Sequence, residues 1–136
     1  MKTVVCLTCF LGLLALPFLA RAGPDEICCR WVNPAYTSQE PPQMEIRNTD
    51  GTFADYADRE NTDPLRRGTF TIMKKWQDDA GNIWYRIKRQ SGGEDTRYEL
   101  AKISDGGQTL ELVIQHDDFP SVLDPANASY RRYTRY

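Results

Sequence analysis

Histidine and cysteine, which often bind metals or act in catalysis, are scarce in this chain. Its 136 residues include a single histidine, His116, and four cysteines. Zinc sites need several spaced cysteine or histidine ligands, whereas His116-Asp117-Asp118 is three adjacent residues that more simply form a polar loop. The sequence also lacks a glycine-rich phosphate loop and a nucleophile elbow. We therefore expect no enzymatic activity, no metal and no cofactor.

Long apolar runs are missing except at the N-terminus. Residues 1–22 combine Lys2, an apolar core and Ala20-Arg21-Ala22, the pattern of a cleaved secretory signal peptide. A membrane anchor is the alternative, but the core is short for a spanning helix and contains Pro17. Removal of residues 1–22 leaves 15 basic and 19 acidic residues, a net charge of −4. We expect a secreted or periplasmic protein, with no membrane span in the mature chain and no nucleic-acid partner.

Only two cysteines, Cys28 and Cys29, remain after that cleavage. A disulfide between sequence neighbours is strained and closes no useful loop. The simplest interpretation is a pair of half-buried residues at the entrance to the first strand. A vicinal or intermolecular disulfide, or a redox or metal role, is the alternative.

Residues 23–136 have the length of one domain with a single core.

Helical periodicity is also absent from residues 23–136, and alternation of apolar and polar residues replaces it. Between short turns rich in Asp, Gly and Asn, four segments alternate with the period of β-strands: Gly68–Trp76, Ile83–Arg89, Thr96–Ile103 and Leu110–Ile114. Four more strands are predicted at Arg30–Val32, Gln43–Arg47, Thr52–Tyr56 and Ser129–Tyr136. Asp58–Arg67 is predicted to be a loop at the barrel mouth. In the first of the four segments, Phe70, Ile72 and Trp76 share one face and Lys75 lies on the other.

Eight strands in succession predict a closed barrel. An open sheet of eight strands would leave two edges with unpaired backbone groups. Pairing the strand of Trp31 with the strand of Tyr130 removes both edges. We therefore predict an all-β fold, an eight-stranded antiparallel up-and-down barrel formed by residues 23–136.

The chain resembles small exported bacterial proteins of lipocalin-like (calycin) type, most of them uncharacterised. The resemblance covers Trp31 to Tyr136 and is carried by Trp31, Gly68-Thr-Phe-Thr-Ile72, Trp84-Tyr85, Tyr98-Glu-Leu100 and Tyr130-Arg-Arg-Tyr-Thr-Arg135. Lipocalins open with Gly-x-Trp, and here Cys29 stands where the glycine would be. A basic residue near the last strand packs over that tryptophan in the family, and Arg132 and Arg135 are the candidates here. The resemblance implies that a small apolar or amphipathic molecule binds inside the barrel.

The predicted inner face gives the candidate ligand-binding residues. They share an apolar or phenolic side chain at alternating positions: Phe70, Ile72, Tyr85, Ile87, Tyr98, Leu100, Leu112 and Ile114. Arg86, Lys88, Arg97 and Glu99 are assigned to the outer, solvated face. The first hypothesis is a carrier that holds a small hydrophobic ligand. The alternative is an interaction or structural module with a packed core, which contacts a protein partner through its surface, for example through the basic aromatic strip Tyr130–Tyr136.

Overall fold

The computed structural model describes residues 25–33, 42–60, 63–93 and 95–136. The predicted signal peptide, residues 1–22, lies outside these ranges. The strands are β1 (Arg30–Val32), β2 (Met44–Arg47), β3 (Thr52–Tyr56), β4 (Arg66–Gln77), β5 (Ile83–Ser91), β6 (Asp95–Ser104), β7 (Thr109–Gln115) and β8 (Arg131–Arg135). The only helical element in the described ranges is the 3-10 turn Asp105–Gly107, and none is long and apolar enough to cross a membrane.

The eight strands form a closed antiparallel barrel in which each strand pairs with its neighbour in sequence. The barrel closes between β1 and β8, where Trp31 lies opposite Arg135 and Val32 opposite Thr134. The predicted fold class and its closure by the first and last strands are therefore confirmed. The predicted loop Asp58–Arg67 ends earlier than expected, because Arg66 and Arg67 already belong to β4.

The hairpin turns follow from residues that tolerate unusual backbone angles or bond to the backbone. At the β4–β5 turn the Asp78 carboxylate accepts hydrogen bonds from the backbone N–H groups of Ala80 and Asn82. Gly81 in the same turn has a φ of 85°. A positive φ of this kind carries a steric cost for residues with a Cβ. The turn therefore fixes the register with which β4 and β5 begin to pair.

A β-bulge divides β4 into two parts with different facing. The register with β5 shifts between Ile72 and Lys74. Before the shift Phe70 and Ile72 share the inner face, whereas after it Lys75 lies opposite the buried Tyr85. The prediction that Trp76 shares a face with Phe70 and Ile72, with Lys75 on the other, is wrong, because the extra residue reverses the alternation.

The facing of β6 also differs from the prediction. Ala101 lies opposite Tyr85 and Glu99 opposite Ile87, so Glu99 faces inward and Tyr98 and Leu100 face outward. The assignments of Tyr98, Leu100 and Glu99 are therefore wrong, and so is that of Arg97, which lies opposite the inward-facing Arg89. The reason is that the β7–β8 connection covers the outer wall here. The Phe119 ring packs edge-on against Tyr98 at 5.1 Å between centroids.

The core fills the barrel around β5. The strands pack closely at Gly68, where only a residue without a side chain fits. A Cβ there would lie 2.2 Å from the backbone oxygen of Gln90 and 2.6 Å from the Phe53 ring. The buried apolar cluster consists of Ile27, Trp31, Phe53, Phe70, Tyr85, Ile87, Ala101, Ile103, Leu110, Leu112 and Tyr133. These side chains remove apolar surface from water, which is the main stabilising contribution to a fold of this size.

Candidate functional site

A network of paired charges lies inside the barrel beside the apolar cluster. Glu45 and Glu99 are fully buried, and Arg47 and Arg89 are 2% and 4% exposed. Arg89 Nη1 lies 3.2 Å from Glu45 Oε1 and 2.9 Å from Glu99 Oε2. Arg47 joins the same two carboxylates, since its Nε donates to Glu45 and its Nη2 lies 2.8 Å from Glu99 Oε1. Each buried ion therefore has two partners of opposite charge.

The strand register explains why these charges face inward. Glu45 in β2 lies opposite the fully buried Trp31 in β1, so Glu45 and Arg47 point into the barrel. The Phe53 ring lies 4.1 Å from the Arg89 guanidinium carbon, a cation–π contact within the core. Burial of an ion costs several kcal/mol unless it is paired, and this arrangement supplies the pairing.

A third carboxyl group, that of Asp55, joins the network from β3. It is 3% exposed and its Oδ2 lies 3.6 Å from Arg89 Nη2. Burial and the adjacent Glu45 carboxylate raise the pKa of Asp55 to about 7. Burial alone would raise the pKa of Glu45 as well, but the charges of Arg47 and Arg89 lower it to about 2. Below neutral pH the proton of this carboxyl pair therefore resides on Asp55.

The turn that precedes β1 closes the apolar end of the barrel. Ile27 is fully buried in the core, and its carbonyl oxygen accepts a 3.0 Å hydrogen bond from Trp31 Nε1. The Tyr85 hydroxyl donates to Asp25 Oδ1 at 2.6 Å, and Lys75 Nζ lies 3.1 Å from Asp25 Oδ2. Burial, followed by the effect of Asp25, raises the pKa of Tyr85. The phenol predicted to contact a ligand therefore has a partner within the chain.

An open cleft of about 370 Å³ lies at the barrel rim, beside this turn. It is bounded by the β2–β3 turn, by β4 and by the segment before β1, and its lining residues are Asp25, Cys28, Thr49, Asp50, Gly51, Phe70, Thr71 and Ile72. Two of the predicted ligand-binding residues, Phe70 and Ile72, therefore lie at a concave surface.

The other predicted ligand-binding residues are placed differently. Tyr85, Ile87 and Leu112 are fully buried in the core, and Ile114 packs against it. Tyr98 and Leu100 lie on the outer wall, away from the six inward residues. The structure thus brings six of the eight residues to one interior, where they belong to the buried apolar cluster or pack against it. Their role as ligand contacts stays a prediction.

The sequence interpretation missed an array of aromatic and cationic side chains on the outside of β4, β5 and β6. The Trp76 and Trp84 rings stack with centroids 5.9 Å apart and an interplanar angle of 11°. Lys74 Nζ and Arg86 Cζ lie 5.2 Å and 6.0 Å from the Trp76 centroid, and Lys102 Nζ lies 5.5 Å from that of Trp84. We call these five residues the basic aromatic wall.

No protein-family model, no curated protein and no solved structure matches this chain. The lipocalin-like resemblance therefore stays a prediction. The pairing of β1 with β8 distinguishes its two candidate basic residues, since Arg135 lies opposite Trp31 and Arg132 lies opposite Glu111.

The basic aromatic strip at the C-terminus does not form one continuous surface. Tyr133 faces inward and is fully buried, whereas Tyr136 is 73% exposed and lies 5.3 Å from the Arg30 guanidinium carbon. The Tyr130 hydroxyl donates to Glu111 Oε2 at 2.6 Å, and burial and this carboxylate raise the pKa of Tyr130 to about 12. The strip therefore contributes to both sides of the barrel wall.

The remaining candidate residues are the two cysteines and the segment His116-Asp117-Asp118. Cys28 and Cys29 are free, half-buried thiols, and burial and the Asp25 carboxylate raise the pKa of Cys28. His116 and the two aspartates after it are exposed. Within the described ranges, no group of three or more His, Cys, Asp or Glu side chains is arranged to hold a metal ion.

Proposed function

We propose that this protein is an exported, non-catalytic binding module that contacts its partner through its outer surface. The observation that supports the proposal is the filled interior. An eight-stranded barrel has room either for its own side chains or for one small ligand. Trp31, Tyr85 and Tyr133 are all fully buried inside this barrel, and the charge network around Glu45 and Glu99 occupies the space beside them.

The free-energy cost of disrupting the charge network also disfavours an apolar ligand inside the barrel. An apolar ligand that entered this part of the barrel would have to separate Arg89 from Glu45 or Glu99. A buried ion that loses its partner destabilises a protein by about 3–5 kcal/mol. Binding of a hydrophobic molecule would have to offset that cost before it gave any affinity.

A ligand panel tests the proposal. Fatty acids and retinol, each added at saturating concentration, are expected to leave the melting temperature unchanged. A ligand at 100 times its Kd would stabilise the native state by about 2.7 kcal/mol, which corresponds to roughly 10 °C for a domain of this size. Organic extracts of the protein from its native host are expected to contain no stoichiometric apolar ligand, such as a sterol, retinoid or pigment, in mass spectrometry. A large melting shift with retinol, which is uncharged, or a stoichiometric lipid other than a phospholipid would refute the proposal.

The second candidate function is the binding of a small amphipathic molecule at the rim cleft. Its volume of about 370 Å³ lies within the range of about 300–1,000 Å³ typical of ligand sites. Phe70 and Ile72 offer apolar contacts there, and Asp25 and Asp50 offer carboxylates. Ile72→Glu is expected to abolish binding at this cleft, whereas Val122→Glu, at a residue that is 65% exposed elsewhere, leaves it unchanged.

A further inference from the structure

The outer wall of β4, β5 and β6 carries cations without an ion-pair partner. Among the residues that the structure describes, Lys74, Arg86 and Lys88 have no carboxylate within ion-pair distance. By contrast, Lys75 pairs with Asp25 and Glu26, and Lys102 pairs with Glu111. Lys74, Arg86 and Lys88 lie on two adjacent strands, so positive charge is concentrated there although the whole chain has 17 basic and 19 acidic residues.

Two of these cations are placed in direct opposition. Lys74 lies directly opposite Arg86 in the β4–β5 ladder. Like charges at such positions destabilise a sheet. Both cations also contact one ring, that of Trp76, at 5.2 Å and 6.0 Å from its centroid. The ring offsets part of the repulsion, and an anion bound between the two cations would offset the rest.

The aromatic rings beneath the cations are held in place. Trp84 Nε1 donates a 2.8 Å hydrogen bond to Asp78 Oδ2, and Trp76 stacks on Trp84. Lys102 contacts the Trp84 ring on the neighbouring strand. Because the rings restrict the cations before any ligand arrives, less side-chain entropy is lost on binding.

An exposed apolar group adjoins the cations and indicates the kind of anionic partner. Met73 lies at the bulge, next to Lys74, and is 56% exposed. Tryptophan rings are favoured at the interface between a bilayer and water, and cations are favoured near its anionic headgroups. A hydrophilic polyanion would gain from the cations alone and nothing from Met73. A second copy of the chain, docked symmetrically through the same wall, would bring the same positive charge against it.

We propose that the basic aromatic wall, together with Lys88 and Met73, docks the protein on an anionic phospholipid surface. This inference rests on the proposed function, because it names the surface and the partner through which the module acts. Lys74 and Arg86 hold headgroup phosphates between them, and Met73 enters the interfacial layer. Each cation near such a surface strengthens binding about five-fold.

Cosedimentation with vesicles tests the inference. The vesicles contain phosphatidylcholine alone or with roughly 30% phosphatidylglycerol, a fraction that creates the negative surface potential of an anionic leaflet. We expect binding to the anionic vesicles only, and loss of binding between about 0.1 M and 1 M salt, where the screening length falls from about 10 Å to 3 Å. All variants carry the same N-terminus, verified by intact mass, so that residues 1–22 contribute equally where present.

Substitutions distinguish binding through the basic aromatic wall from attraction by positive charge elsewhere on the protein. Lys74→Ala and Arg86→Ala are each expected to weaken vesicle binding about five-fold, and the double variant about 25-fold. Lys74→Arg retains binding. The matched control removes two exposed cations from β1 and from the β3–β4 connection, Arg30→Ala with Arg59→Ala, and is expected to bind like the unmodified protein. Circular dichroism and melting curves verify that every variant is folded.

The outcomes separate the possible partners. Equal binding to neutral and anionic vesicles, or equal losses in the wall and control variants, would overturn the inference. Binding to dextran sulfate without binding to vesicles would overturn it too and assign the wall to an anionic polysaccharide. Met73→Ser is expected to weaken vesicle binding while leaving any binding to dextran sulfate unchanged. The apolar ligand panel gives an independent result, so failure of the proposed function and failure of this inference are distinguishable.

Discussion

Asp55 is expected to set the pH dependence of the stability of this barrel. Its buried carboxyl group faces Glu45 from β2, Arg89 from β5 and Arg131 from β8. Burial and the Glu45 charge raise its pKa from 3.8 to about 7. The perturbation we consider is Asp55→Asn, which keeps the shape of the side chain, preserves a donor toward Glu45 and removes the titration.

The direction of the effect follows from proton linkage. Between about pH 4 and pH 7 the folded state keeps the Asp55 proton that the unfolded chain has lost, so the free energy of unfolding falls as pH rises through this window. The difference in pKa corresponds to at most about 4 kcal/mol. Glu45 acts in the opposite direction at lower pH, because its pKa is lowered from 4.5 to about 2. Its stabilising contribution is present above pH 4.5 and is lost as pH falls toward 2. Together the two carboxyl groups predict maximal stability near pH 4 to 5.

Urea unfolding followed by tryptophan fluorescence measures this dependence. The midpoint of the unmodified protein is expected to fall between pH 5 and pH 7.5, whereas that of Asp55→Asn stays nearly constant over the same range. Asp117→Asn, at an exposed position, serves as the control and should follow the unmodified protein. If Asp55→Asn retained the full slope, or if the stability of the unmodified protein rose from pH 5 to pH 7.5, the reasoning about the buried carboxyl pair would be refuted.

Three further substitutions and one control at an exposed residue test the packing. Gly68→Ala should destabilise the barrel by about 1–3 kcal/mol or more, because its Cβ would lie 2.2 Å from a backbone oxygen; an unchanged urea midpoint would contradict this. Leu112→Ala, at a fully buried residue, should cost about 2–5 kcal/mol in the same assay. Leu65→Ala, at a residue that is 56% exposed, should change stability by less than about 0.5 kcal/mol. Tyr85→Phe leaves Asp25 without its 2.6 Å hydrogen bond and should cost about 1–3 kcal/mol, measured by thermal unfolding; a neutral result would show that the bond contributes nothing net.

The architecture was predictable because it depends on local patterns. Alternation with a period of two appears in β5, whose Tyr85 and Ile87 are fully buried while Arg86 and Lys88 are exposed. The turn at Asp78–Asn82 is encoded by residues that bond to their own backbone. Once eight strands and short turns are recognised, closure follows from the cost of open sheet edges.

The facing of individual residues was less predictable. The alternation rule assumes an uninterrupted ladder, and the bulge after Ile72 breaks it without a glycine or proline to mark the position. The rule also assumes that apolar residues face inward. In β6 that assumption fails, because Phe119 from a later loop packs against Tyr98 on the outer wall, while Glu99 inside is paired with two arginines.

The buried charges illustrate why the candidate site was missed. Glu45 and Glu99 are far apart in sequence, and only the strand register brings both to Arg89.

The stacked tryptophan pair, by contrast, could have been predicted from the turn between β4 and β5. A hairpin that turns at Asp78–Asn82 places Trp76 opposite Trp84, so the stacked pair on the outer wall was implied by the predicted hairpin itself.

The charge network explains how interior and outer wall depend on each other. Replacement of buried ion pairs by apolar residues often leaves stability unchanged or raises it, so stability alone does not account for the network. A slip of β2 by one residue, however, would move Glu45 and Arg47 out of the barrel and leave Arg89 and Glu99 short of partners. The network therefore selects one strand register. Because alternate residues of β5 point to opposite sides, the register that places Arg89 inside also places Arg86 outside, over the Trp76 ring. The filled interior and the cationic outer wall are thus determined by the same set of strand pairings.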